Sequence, residues 1–180
     1  MVAVRHRKTL TLFLSSLALI FTVVFAWLRM LPESTVENIP AADKVLVNKQ
    51  ARKLFLLKQG RILKQYRISL GQDPIGHKSE QGDSKTPEGS YVLDWKNPHS
   101  HYFLSIHISY PNARDRARAI DAGVSPGGDI MIHGLPNGWG WLSFVFKGWD
   151  WTDGCIAVSN TEMQEIWNSV ATGTPVEILP

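Results

Sequence analysis

The chain has 180 residues and a single cysteine, Cys155. No disulfide can close within it, so a scaffold stapled by intramolecular bridges is excluded. Charge is absent from residues 10–28, and no acidic residue occurs before Glu33. No Ala-x-Ala cleavage pattern follows the apolar stretch; Phe25-Ala26-Trp27-Leu28 is a poor match, which weighs against a cleaved signal. There is no internal repeat and no low-complexity segment, so a repeat array is excluded.

The uncharged run is long. A bilayer core of roughly 30 Å needs about 20 apolar helical residues, and Leu10 to Leu28 approaches that length, preceded by Arg5, Arg7 and Lys8. The reading is an N-terminal transmembrane helix within residues 1–30, with a cleaved export signal as the alternative. The basic flank keeps the N-terminus cytoplasmic and directs the remainder outward. Four of the 19 Lys and Arg residues (Arg5, Arg7, Lys8, Arg29) flank this span; the other 15 face 16 Asp and Glu. The basic balance is therefore a topology signal. It is no nucleic-acid footprint, and no nucleic-acid partner is expected.

Residues 31–42, with Pro32 and Pro40 among polar residues, read as a linker. A folded domain is expected over 43–180, long enough for a core without staples. Lys44–Val47, Lys53–Leu57, Arg61–Leu70, Ser90–Leu93, Tyr102–Ile108, Asp129–His133, Cys155–Val158 and Thr174–Leu179 read as strands. Residues 71–89 are loop-rich, and 112–122 have helical composition. Ser159 with Glu162 three residues on forms a capping box, followed by Met163, Ile166, Trp167 and Val170 at helical spacing. The expected fold is mostly β with one or two helices.

A lone thiol on an exported domain points to an intermolecular bridge or to a reactive group. Thiolate catalysis needs a base and oxyanion donors beside the sulfur. Cys155 supplies the sulfur, His133 at a strand end is the candidate base, and the backbone amides of Gly154 and Cys155 are candidate oxyanion donors. From spacing alone, a buried and inert cysteine fits equally well. Trp139, Trp141, Trp149 and Trp151, four of the seven tryptophans, lie between His133 and Cys155. They suit a lid over a substrate, packing of an irregular loop, or contact with a membrane surface. His107 in mid-strand is a candidate pocket residue, although a satisfied histidine on a sheet face is the simpler reading. His77 reads as exposed, and His99 and His101 give little support for a metal pair.

Four blocks occur in order: Gly71-Gln72-Asp73-Pro74-Ile75-Gly76-His77-Lys78, Gly82 to Tyr91 containing Lys85-Thr86-Pro87-Glu88-Gly89, Ile132-His133-Gly134, and Asp153-Gly154-Cys155-Ile156. Together they resemble the L,D-transpeptidase catalytic domain of the YkuD type, over about residues 43–180. The resemblance implies a β-sandwich-like domain with Cys155 as nucleophile, His133 as proton donor and acceptor, and the Gly154 backbone at the oxyanion. It implies peptidoglycan stem peptides as partners in cell-wall biogenesis and no cofactor or metal. Thr152, Asp153, Gly134, His107 and Trp151 are the substrate-binding candidates. With the N-terminal span, it implies a catalytic domain in the periplasm, anchored to the inner membrane.

The common block of that family reads Ser-His-Gly-Cys-Ile-Arg, whereas this chain has Thr152-Asp153-Gly154-Cys155-Ile156-Ala157. Asp153 replaces a histidine and Ala157 an arginine. The motif also resembles a hydrolytic branch that cuts links between peptidoglycan and an attached lipoprotein. Crosslinking and hydrolysis therefore both stand as expectations, and a non-catalytic wall-binding module stands behind them.

Overall fold

A computed structural model describes residues 19–24, 26 and 35–180. They fall into two units, divided between Thr35 and Val36. In the first, residues 19–24 and 26 are helical, with Thr22 Oγ1 donating to the Leu19 carbonyl at 2.8 Å. Most of the expected span at 10–28 lies outside the described residues. Among the described residues, no helix is long and apolar enough to cross a membrane.

The second unit carries eight strands: β1 (Lys44–Asn48), β2 (Lys53–Lys58), β3 (Arg61–Arg67), β4 (Gly89–Ser100), β5 (Phe103–Ile108), β6 (Met131–His133), β7 (Ile156–Ala157) and β8 (Thr174–Leu179). Its helices are α1 (Ala113–Ala122), a four-residue α2 (Ser143–Phe146) preceded by a 3-10 turn at Gly140–Leu142, and α3 (Asn160–Ser169). Alternation explains the strands: Val45, Val47, Leu54, Leu56, Val176 and Ile178 are buried, with more exposed residues between them. Asn112 and Asp115 form a capping box on α1, and Gly123 closes that helix in the left-handed region (φ 69°). Ser159 and Glu162 form the expected box on α3.

The strands make one mixed sheet in the order β3-β2-β1-β8-β4-β5-β6-β7. Its ends meet. Ser69, just beyond β3, bridges Ala157 of β7, with both amides donating at 2.9 Å, and Gly71 bridges Thr152. The strands expected to stack as a sandwich are thus joined in one sheet that closes on itself. β3 and β4 lie four steps apart in either direction around this ring.

Part of the segment read as a linker packs on the domain. Ile39 and Ala42 are buried in the core, and the Glu37 amide donates to Glu165 Oε1 at 2.9 Å. β4 runs seven residues past Leu93, through Pro98 and two register shifts. Proline and irregular pairing hide such an extension from pattern reading.

Candidate active site

Closure of the sheet brings the two short strands of the site together. β6 pairs with β7 in parallel, Ile132 against Ile156 and His133 against Ala157. Ile132 and Ile156 are fully buried in the core. His133, one residue on in β6, alternates to the opposite side of the sheet. Cys155 directly precedes β7, two residues before the Ala157 that pairs with His133.

The hydrogen bonds of His133 define its chemistry. Nδ1 lies 2.6 Å from the Gly134 carbonyl oxygen. A carbonyl only accepts, so Nδ1 carries the hydrogen and Nε2 keeps its lone pair. The ring packs against Tyr102 (4.6 Å between centroids) and edge-on to Trp151 (5.7 Å). Only 4% of the residue is exposed. This desolvation pushes its pKa down to about 4, against the opposing pull of the Gly134 carbonyl.

Cys155 Sγ accepts from the Met131 amide at 3.4 Å and donates to the Asp129 carbonyl at 3.6 Å. Burial pushes the thiol pKa up; the Met131 amide opposes this, and the Asp153 and Asp129 carboxylates reinforce it. Both groups are therefore neutral near pH 7. Burial thus favours an uncharged thiol and a neutral imidazole at this site.

Two glycines let the loop of residues 71–89 press against the Asp153–Cys155 turn. A Cβ on Gly154 (φ +122°) would lie 2.5 Å from the Lys85 carbonyl oxygen, and one on Gly71 would lie 1.9 Å from that of Ser84. The loop is held from within by two buried lysines that pattern reading missed. Lys49 Nζ donates to the carbonyls of Gly76 (2.6 Å) and Thr86 (2.8 Å) and to Glu88 (2.8 Å). Lys78 pairs with Asp83 at 2.7 Å. Lysine is rarely buried unless paired; the partners of Lys49 are 27 to 39 residues away, whereas Lys78 pairs within its own loop.

The remaining candidates sort clearly. The Gly154 amide, expected at an oxyanion, donates instead to Thr152 Oγ1 at 3.2 Å, and that hydroxyl donates to the Cys155 carbonyl at 2.7 Å. Thr152 thus ties the turn together. The Cys155 amide has no hydrogen-bond partner among the described residues. Gly134 orients His133, and its missing side chain leaves room for Asn160 Oδ1, 2.7 Å from where a Cβ would sit. Trp151 is beside His133, its Nε1 buried without a partner among the described residues. Asp153 is exposed near the thiol. His107 pairs with Met131 on the same face, stacks on Trp95 (5.2 Å), and shares a 2.6 Å hydrogen bond with Asp94. Asp94 had no signal in the sequence, because its contact arises across the β4–β5 irregularity. His77 is partly covered: Nδ1 accepts from the Glu88 amide and Nε2 lies 3.2 Å from buried Asp115. Among the described residues, no group of three or more His, Cys, Asp or Glu is arranged to hold a metal ion.

A closed β sheet with a histidine on one strand and a cysteine just before the adjacent parallel strand defines this site. The model of the L,D-transpeptidase catalytic domain, YkuD, matches residues 42–178, and the chain belongs to that family. It is 33% identical over 114 residues to YafK of Escherichia coli K12, a presumed L,D-transpeptidase, covering 62% of this chain and 39% of that protein. Among solved structures, it resembles the helical cell shape determining protein Pgp2 of Campylobacter jejuni (TM-score 0.57, 27% identity, 84% of this chain and 53% of Pgp2). An L,D-transpeptidase of Xylanimonas cellulosilytica shares the fold at 16% identity (TM-score 0.51, 81% of this chain and 64% of that one). The chain thus spans less than two thirds of each of these relatives.

Proposed function

We propose that this protein is a peptidoglycan L,D-transpeptidase of cell-wall biogenesis, working through a Cys155 thioester. His133 Nε2 takes the Cys155 proton as Sγ attacks a stem-peptide carbonyl. The free Cys155 amide faces the developing oxyanion. Collapse expels the terminal amine, which receives the proton from His133, and leaves the thioester. An incoming amine, losing its proton to the same imidazole, releases the crosslinked product and the thiol. The observation that carries this reading is the His133 Nδ1–Gly134 bond, which aims the ring's lone pair away from the backbone. Family membership supports the substrate class. Trp151 and the Asp94–His107 pair are the proposed substrate contacts, and the likeness to Pgp2 supports a part in cell shape. Export through the apolar N-terminus, retained as an anchor or cleaved, would set the domain in the cell envelope.

A second reading is hydrolysis, in which water replaces the acceptor amine at the same thioester and a wall-attached protein or peptide is released. The departures at Asp153 and Ala157 from the family's common block support it. The thioester is tested by intact mass after exposure to a carbapenem: an adduct on the full chain that Cys155→Ala abolishes is expected, and no adduct would overturn the shared mechanism. Wall fragments after overexpression then separate the outcomes, with new crosslinks between third-position residues for transfer and lost links for hydrolysis.

A further inference from the structure

We propose that strand β3 and the aromatic loop of residues 138–149 together form a docking surface for an anionic lipid bilayer. The loop presents large apolar side chains to solvent. Trp141 is 69% exposed, Trp149 65% and Phe144 65%, with Trp139 also exposed. Such a patch on one loop marks an interaction site.

The loop lies against a basic strand. A Cβ on Gly148 would sit 2.5 Å from the Arg67 guanidinium of β3, and Ser69 Oγ donates to the Phe146 carbonyl at 3.0 Å. Residues 44–72 contain eight Lys and Arg and no Asp or Glu. Lys44, Lys49, Arg52 and Lys64 are ion-paired, while Lys53, Lys58, Arg61 and Arg67 have no ion pair with any described residue. Exposed aromatics beside unpaired cations match the interface of a bilayer with anionic headgroups. Neutral sugars would account for the aromatics but not for the cations.

The test uses the full chain reconstituted in vesicles, in a Cys155→Ser background that removes the native thiol. A fluorophore is attached at Trp141→Cys or, as control, at Ile120→Cys, which is 77% exposed on α1. That helix is tied to β4 through Asp115 and Tyr91, across the ring from β3. Spin-labelled lipids in phosphatidylglycerol-containing vesicles are expected to quench the label at 141 at least threefold more than at 120. Raised salt, zwitterionic vesicles, or Arg61→Glu with Arg67→Glu should reduce the difference. Equal quenching at both positions overturns the proposal, as does quenching at 141 that ignores lipid charge. Protection of the label by purified peptidoglycan without any lipid quenching would also overturn it and assign the loop to glycan.

Discussion

Between His133 and Cys155 the chain builds two opposite environments. Strands β6 and β7 hold residues that are almost wholly covered: Ile132, His133, Ile156 and Ala157. The loop joining them exposes Trp139, Trp141, Phe144 and Trp149. The difference separates two tasks within 22 residues. Chemistry needs groups whose protonation is set by fixed, dry surroundings, so it is carried on strands paired on both sides. The loop is rooted through Phe146 against Trp151 (5.3 Å between ring centroids), Ser69 and the Lys147–Glu162 pair, and it leaves its other aromatic side chains free for contact with a large partner, as proposed above.

The strongest way to break the comparison is on the strand side. Cys155→Ala is expected to abolish the covalent adduct and lower turnover at least about 10³-fold while the circular dichroism spectrum is retained. His133→Gln should cost about 10²- to 10⁴-fold in kcat/KM. Retained activity in either variant would move the chemistry elsewhere.

Burial of neutral His133 also has a cost in acid. Its folded pKa of about 4 lies below the ordinary value of 6.5. Between these values the unfolded chain binds more protons, so stability falls as pH falls from 6.5 toward 4. The loss is on the order of 3 kcal/mol. Denaturant titrations across that window should show a visibly shallower loss for His133→Gln; identical slopes would mean the ring is not desolvated. Gly154→Ala should destabilise by about 2 kcal/mol, because it meets both the positive φ and the Lys85 carbonyl. A thermal melt reads this directly.

The smallest effect sharpens the comparison from the loop side. Trp141→Ser should change stability by less than about 0.5 kcal/mol and leave turnover of a soluble stem-peptide substrate unaltered. A large loss of turnover would make the loop a substrate lid and join the two environments into one.

Much of the fold was legible because its signals are local. Alternating Val and Leu in β1, β2 and β8 and the Ser159–Glu162 box act within a few residues, and each lies where the pattern predicts. The extension of β4, the buried lysines and the short helix in the Trp-rich loop were not legible. The β4 extension depends on irregular pairing, and the burial of Lys49 on partners distant in sequence. The site divides in the same way. His133 and Cys155 stand out by residue type and motif, whereas Asp94 and the occupied Gly154 amide emerge only from three-dimensional contacts.

The sequence by itself determined the family, the order of the strands and the two longer helices, and the candidate nucleophile and base. These rest on periodicity and on short motifs carried in consecutive residues. Tertiary structure alone decided that the sheet closes through Ser69 and Ala157, that Gly134 sets the His133 tautomer, and that Cys155 rather than Gly154 keeps a free amide. Hydrogen-bond partners and desolvation are properties of neighbours in space, and no run of residues specifies them before the chain has folded.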